Sequence, residues 1–213
     1  MSITVIDYGS GNLKSAAKAL ETAANNISSS LKVIVSSNPK IIEQSDKIVL
    51  PGQGSFRDCY LGIKKITGLN ETLNEFVLEK KKPIFGICVG MQLFAKIGYE
   101  SQETKGFGWI DAEVRKINNI NKKIKLPHMG WNEIELKKNN FLFSNIKNKS
   151  HMYFIHSYEF KTKQKDCVVA TTSYGNSITV SVKKENIVGT QFHPEKSQKN
   201  GLIVLENFLS WKL

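Results

Sequence analysis

Near the middle of the chain, Gly86-Ile87-Cys88-Val89-Gly90 sets a cysteine between glycines two positions away on either side. The apolar run Pro83-Ile84-Phe85-Gly86-Ile87 leads into it, and a helical pattern, Met91-Gln92-Leu93-Phe94-Ala95, follows. That is the strand, turn and helix setting of a nucleophile elbow, with cysteine where serine is more familiar. The glycines let the backbone take a strained conformation that exposes the thiol at the strand end. A helix N-terminus beneath it favours the thiolate, the reactive form. With three cysteines in the chain and glycine near 7% of residues, Gly-x-Cys-x-Gly is expected by chance about 0.015 times. Cys59, in a helical pattern, and Cys167, at the start of a strand, read instead as small hydrophobes.

A thiol nucleophile needs a base, and the chain offers His128, His151, His156 and His193. His193 stands apart through its neighbours in Gly189-Thr190-Gln191-Phe192-His193-Pro194-Glu195, which put it just past a strand with a carboxylate two residues on. The intervening proline keeps the chain extended, so both side chains can face one side. Glu195 can then accept from one ring nitrogen and fix the tautomer that faces the thiol. His151 alone reads as a structural histidine. Pro51-Gly52-Gln53-Gly54-Ser55-Phe56 follows a strand ending at Leu50, which sets it at the same carboxyl edge of the sheet as Cys88. Backbone N–H groups there can join the amide of Val89 as an oxyanion hole. Gly9-Ser10-Gly11-Asn12-Leu13-Lys14 is no dinucleotide fingerprint: Lys14 takes the third glycine position, and no acidic residue follows about 20 residues on at a strand end.

Positioning these groups requires parallel strands with crossover helices, and the N-terminal half is patterned that way. Strands are expected at Ile3 to Ile6, Leu31 to Val35, Lys47 to Leu50 and Pro83 to Ile87, and helices at Asn12 to Ala24, from Pro39, at Phe56 to Ile66 and at Glu71 to Lys81. The C-terminal half carries short alternating segments at Ala112 to Ile117, His151 to His156, Cys167 to Thr172, Ile178 to Val182 and Ile187 to Gln191, which read as antiparallel or mixed strands. A last helix, about Gly201 to Trp211, is expected to lay Ile203, Leu205 or Glu206, and Phe208-Leu209 on the sheet. The fold class expected is α/β, an open, mostly parallel sheet flanked by helices with antiparallel additions in the C-terminal half, as one domain over residues 1–213.

The chain has 213 residues, of which 40% are hydrophobic; it can bury roughly 70% of its unfolded surface, which excludes disorder. Its formal charge is +11, a footprint sometimes left by nucleic-acid binding. Only Arg57 and Arg115 are arginine, however, and the other 28 basic residues are lysine. A point-charge ammonium is a poor reader of bases. The lysines are scattered, with one run of three at Lys80-Lys81-Lys82, and they do not interleave with aromatics as a stacking groove would. No nucleic-acid role is expected. Three cysteines match no disulfide framework or metal knuckle, the N-terminal apolar run is too short for a signal peptide, and no run approaches 18 apolar residues. A soluble, cytoplasmic protein without membrane contact is expected.

Gly86-Ile87-Cys88-Val89-Gly90-Met91-Gln92 and Phe192-His193-Pro194-Glu195 resemble the two signatures of class I glutamine amidotransferases. Asp7-Tyr8-Gly9-Ser10-Gly11-Asn12-Leu13, Leu50-Pro51-Gly52-Gln53-Gly54-Ser55-Phe56, Pro127-His128-Met129-Gly130-Trp131-Asn132 and Tyr153-Phe154-Ile155-His156-Ser157-Tyr158 are similar to blocks of one branch, the glutaminase subunits of imidazole glycerol phosphate synthases. The likeness spans essentially the whole length; Gln53 stands where valine is frequent, a departure of little weight where the backbone does the work. The resemblance implies that Cys88 attacks the side-chain amide of glutamine, that His193 moves the proton to departing ammonia, that Glu195 orients His193, and that water hydrolyses the thioester. It further implies an oxyanion held by amides around Gly52-Gln53 and at Val89, glutamine bound with help from Gln92, Ser157 and Tyr158, and no metal or organic cofactor. The implied partner is a (β/α)8-barrel cyclase in a heterodimer. That subunit takes ammonia through a protected channel and makes imidazole glycerol phosphate and aminoimidazole carboxamide ribonucleotide in histidine biosynthesis. Asn12, Trp131, Tyr153 and Lys196 match positions near that interface, core packing being the competing reading for the two aromatics. By the same resemblance, glutamine hydrolysis is slow until the partner's ligand reorders the oxyanion turn. A paralogue feeding a different synthase, for instance in surface-sugar modification, would carry the same catalytic residues. Cys88, His193 and Glu195 together disfavour a non-catalytic nucleic-acid-binding protein.

Overall fold

The structure, a computed structural model, describes residues 1–27, 30–118 and 124–213. Aliphatic runs build the centre of the molecule. Strands β1 (Ser2–Ile6), β2 (Lys32–Ser36), β3 (Lys47–Gly52) and β4 (Ile84–Cys88) pair in parallel in the order β2-β1-β3-β4. Every residue of β3 and β4 is buried, as expected of strands covered on both faces. The crossovers are helical. α1 (Leu13–Ile27) buries Ala16, Ala17, Leu20, Ala23 and Ala24, a one-sided stripe at helical spacing. α2 (Pro39–Gln44) starts on proline with Asn38 accepting from Lys40 N, and α3 (Phe56–Lys65) starts with Ser55 accepting from Asp58 N, so each cap satisfies an otherwise orphan donor. α4 (Leu69–Asn74) runs on into a π-helical turn, Glu75–Glu79, where one continuous helix to Lys81 was expected.

After β4 comes α5 (Val89–Gln92), a single turn rather than the run to Ala95 that the sequence suggested. The chain tightens there: Phe94 N bonds Met91 O and Ala95 N bonds Gln92 O, and it then enters β5 (Ile97–Glu100) and β6 (Gln102–Lys105). β7 (Ala112–Lys116) follows, then β8 (His128–Glu133), the short β9 (Glu135–Leu136), β10 (His151–His156) and β11 (Tyr158–Thr162). β12 (Val168–Tyr174), β13 (Asn176–Lys184), β14 (Ile187–Thr190) and α6 (Gln198–Ser210) complete the chain. β14 lies parallel beside β4, and β13, β12 and β9 extend the main sheet antiparallel to eight strands. A four-stranded sheet, β11-β7-β5-β6, and a two-stranded ribbon, β10-β8, flank it.

α6 buries Gly201, Val204, Leu205, Phe208 and Leu209, so Val204 takes the core-facing role expected of Ile203. Its C-terminus is tied down by Lys47 at the start of β3, only 4% exposed. The Lys47 ammonium donates to the carbonyls of Phe208 (2.8 Å), Leu209 (2.6 Å) and Trp211 (2.6 Å), satisfying carbonyls that a helix end leaves orphaned. Among the described residues no helix is long and apolar enough to cross a membrane.

Candidate active site

Cys88 ends β4 with φ 55° and ψ −112°, outside the regions that non-glycine residues ordinarily occupy. Two glycines make that conformation tenable. A Cβ on Gly90 would overlap Leu50 O, and one on Gly52 would sit 2.5 Å from Gly90 N, so the turn after Cys88 lies directly on the backbone of β3. The register then assembles the rest: Gly52 pairs with Cys88 across β3 and β4, and Thr190 pairs with Ile87 across β4 and β14. The Gly52-Gln53 turn and the segment Gln191 to Glu195 therefore flank the thiol at one edge of the sheet.

His193 Nδ1 and Glu195 Oε1 are 2.7 Å apart, with side chains only 5% and 3% exposed. Glu195 thereby fixes the ring and leaves Nε2 free; Nε2 is buried and makes no hydrogen bond. Burial pulls the pKa of His193 down, but negative charge on Cys88 and the Glu195 carboxylate outweigh it and raise the pKa to about 10. No hydrogen bond closes between His193 Nε2 and the Cys88 sulfur, an openness common in free catalytic sites. The sulfur lies 3.9 Å from Ile155 O and 3.5 Å from Gln191 Nε2.

A cleft of about 370 Å³ opens over the thiol. Of the residues singled out from sequence, it brings together Gln53, Cys88, Val89, Gln92, Ser157, Tyr158 and His193, with Glu195 behind the histidine and Gly52 beneath the turn. Gln92 is 3% exposed and donates to Tyr158 O at 3.1 Å and to Gln191 Oε1 at 2.9 Å. The Gly52-Gln53 turn is tethered outward: Gln53 N donates to Ser10 Oγ at 3.4 Å, and Ser10 Oγ donates to Gln53 O at 2.5 Å. Ser10 lines a separate groove, so the Gln53 N–H is turned away from the thiol.

Four side chains at the site were given no role of their own by the sequence. Glu100, at the end of β5, lines the cleft and accepts from Phe56 N at 2.8 Å. Gln191 donates to the sulfur. His128 and His156 form a buried pair, Nδ1 to Nε2 at 3.0 Å, with His156 Nδ1 donating to Tyr158 O at 2.8 Å and Asn132 Nδ2 facing His128 Nε2 at 3.2 Å. Burial lowers the pKa of His128 to about 4 and that of His156 to about 3, so both rings are neutral. Gln191, His128 and His156 lie in segments that the sequence singled out and Glu100 does not, but for all four only the pairing of distant strands creates these contacts.

The residues expected at a partner interface divide. Trp131 on β8 is 46% exposed and meets Tyr153 on β10 edge-to-face at 5.9 Å; the Lys196 ammonium lies 5.8 Å from the Tyr153 ring centre, a cation–π distance. These three form one outward cluster. Its link to the site is direct, because Tyr153 O accepts from His193 N at 2.9 Å and Ser197 Oγ bridges Tyr153 N and His193 O at 3.0 and 2.7 Å. Asn12 caps α1, its side-chain oxygen accepting from Ser15 N at 3.3 Å. Among the described residues no cluster of three or more His, Cys, Asp or Glu forms that could hold a metal ion.

The family profile described as glutamine amidotransferase class-I matches residues 4–211. The imidazole glycerol phosphate synthase subunit HisH of Pelagibacter ubique is 54% identical over 210 residues, 99% of this chain and 100% of that one. HisH of Bradyrhizobium diazoefficiens is 45% identical over 215 residues, with both chains fully covered. Among solved structures, a glutamine amidotransferase superposes with a TM-score of 0.70 at 18% identity, over 96% of this chain and 98% of that one. A glutamine amidotransferase from Thermotoga maritima reaches 0.67 at 19%, over 94% and 78%. At such identities the structures speak to the fold, and they share the α/β architecture described above. The chain belongs to the class-I glutamine amidotransferase family, within the branch of HisH subunits of imidazole glycerol phosphate synthase.

Proposed function

We propose that the whole chain works as one glutaminase unit that hydrolyses glutamine and hands ammonia to a (β/α)8-barrel cyclase, forming with it an imidazole glycerol phosphate synthase of histidine biosynthesis in the cytoplasm. The observation that carries the chemistry is the convergence of Cys88, His193 and the 2.7 Å contact to Glu195 on one cleft. With the sulfur as thiolate and His193 as imidazolium, the sulfur attacks the side-chain amide carbon of glutamine and negative charge moves to the oxygen. His193 gives its Nε2 proton to the amide nitrogen, the C–N bond breaks and ammonia leaves. Water then adds to the thioester while His193 takes up its proton, and glutamate leaves as the thiolate re-forms. Glu195 holds the ring throughout, and the Glu100 carboxylate offers the α-ammonium of glutamine a charged partner.

The oxyanion needs donors placed where charge develops. Val89 N–H, directly after the nucleophile, supplies one. The second, Gln53 N–H, is directed at Ser10 Oγ and must rotate inward, so the isolated chain is a slow glutaminase. Docking of the cyclase on the Trp131, Tyr153 and Lys196 cluster is the event that turns it, because that cluster is continuous with the site through Tyr153 O. Asn12 is the fourth interface residue in this reading.

The test is glutamine-dependent synthesis of imidazole glycerol phosphate by this chain mixed with its cyclase. Wild type is expected to support it, and Cys88→Ser to abolish it while leaving synthesis from added ammonium salt intact. Retained glutamine hydrolysis by Cys88→Ser overturns the nucleophile. Activity only with a sugar-modifying synthase would assign the chain to the paralogue.

A further inference from the structure

The side chain of Gln191, wholly buried one residue past β14, has no part in the mechanism above, yet it touches the reacting atom. Its orientation is dictated from a distance. Tyr158 O is a carbonyl and can only accept, so the Gln92 atom facing it at 3.1 Å is Nε2. The other proton of that nitrogen meets Gln191 at 2.9 Å, which makes the facing atom Oε1. Gln191 Nε2 is thereby aimed at Cys88 Sγ, 3.5 Å away. The same Tyr158 carbonyl also receives His156 Nδ1, so one backbone oxygen sets the polarity of the whole chain of donors.

We infer that Gln191 is a further catalytic residue: its side-chain amide, locked by Gln92 and Tyr158, donates to the Cys88 sulfur and stabilises it as an anion. The inference rests on Cys88 being the nucleophile. A neutral thiol is a weak acceptor and a thiolate a strong one, so a buried amide whose hydrogen-bond partner is sulfur is satisfied best when the sulfur is charged. The donation acts at both ends of the reaction, when the thiolate forms before attack and when it is expelled from the thioester. It also supplies what the local backbone does not, since α5 is one turn long and carries little macrodipole. Cys59 shows the opposite wiring. Its thiol donates to Gln53 O at 3.6 Å, and burial pushes its pKa up.

The deciding experiment follows alkylation of Cys88 by iodoacetamide against pH, resolved by peptide mass spectrometry on the full chain bound to its cyclase. Wild type, Gln191→Met and Gln191→Glu are compared, with Cys59 and Cys167 as internal reporters of an opened fold. Loss of a charge-assisted hydrogen bond is expected to move the Cys88 midpoint up by roughly one to two pH units in Gln191→Met. Gln191→Glu is expected to move it further, because it keeps the acceptor for Gln92 but turns a carboxylate toward the sulfur. An unchanged midpoint in either folded variant overturns the inference. Gln191→Glu is nearly isosteric and decides the matter if Gln191→Met exposes Cys59. Absence of glutamine hydrolysis by the wild-type complex would instead count against the glutaminase reading, and the alkylation midpoints would still report on Gln191.

Discussion

Two walls of one cleft are built on different principles. The inner wall is the carboxyl edge of β3, β4 and β14, where backbone lies on backbone: every residue of β3 and β4 is buried, and Gly90 and Gly52 leave no room even for a methyl group. The outer wall is the Gln53-Gly54 turn and the β8–β10 ribbon, held by hydroxyl groups and two histidines and topped by Met129 and Trp131, 59% and 46% exposed. Cys88 and the His193–Glu195 pair sit on the wall where backbone packs on backbone, while Gln53 N–H and the exposed Trp131 sit on the wall held by side chains. Rigid elements hold reacting groups within fractions of an ångström, and gating requires loosely held ones.

The contrast makes graded predictions. Gly90→Ala strikes the inner wall and is expected to cost roughly 3 kcal/mol or more, through overlap with Leu50 O that the neighbouring backbone cannot relieve. Thermal unfolding reads it, and a folded variant with unchanged Tm would erase the distinction between the walls. Acid should strike the outer wall. His128 and His156 are held neutral down to about pH 4 and 3 by burial, whereas unfolded histidine titrates near 6.5. The unfolded chain therefore binds more protons below that value. Their joint contribution to stability is complete above about pH 6.5 and falls by roughly 2–3 kcal/mol per pH unit between pH 6 and 5. His193 has the opposite sign: its raised pKa gives a contribution that is complete below about pH 6.5 and lost only toward pH 10. Denaturant titrations at pH 7 and 5 should show the loss, and His128→Asn should flatten it.

Smaller effects are expected from single side chains on the rim. Trp131→Ala should leave the fold within about 0.5 kcal/mol of wild type yet weaken cyclase binding by about 1–3 kcal/mol, as loss of an aromatic anchor does; calorimetric titration measures it. Ser10→Ala should cost less than about 1 kcal/mol of stability and raise hydrolysis by the isolated chain several-fold by freeing the Gln53 peptide. A ratio of free to complexed activity equal to that of wild type would show that the hydroxyl does not hold the turn.

The inner wall was largely legible in the sequence because its signals are local. Gly86 to Gly90 and His193 to Glu195 carry their geometry in spacing, and uniformly apolar runs announce buried strands. Of the outer wall, the Gln53-Gly54 turn and β10 were legible too; β8 was not, for a physical reason visible in its burial. Its alternation is inverted, with His128 buried and Met129 and Trp131 exposed, so a rule that points apolar residues inward misses the strand. Glu100 and Gln191 were invisible because their roles arise only when β5 and β14 are brought to the thiol from distant parts of the chain. The length of α5 was misjudged because Leu93, Phe94 and Ala95 are buried whether or not they are helical, and burial was the only signal they gave.

The bond from His193 N to Tyr153 O runs through main chain alone. Pressure on the ribbon would reach the imidazole through that bond and through the Ser197 hydroxyl beside it, so a scan that truncates residues one at a time would remove the hydroxyl but leave the main-chain bond untouched. Interrupting it calls for an edit of the polypeptide itself, such as an ester in place of the amide at His193, and that replacement would separate the message a partner sends from the surface on which it docks.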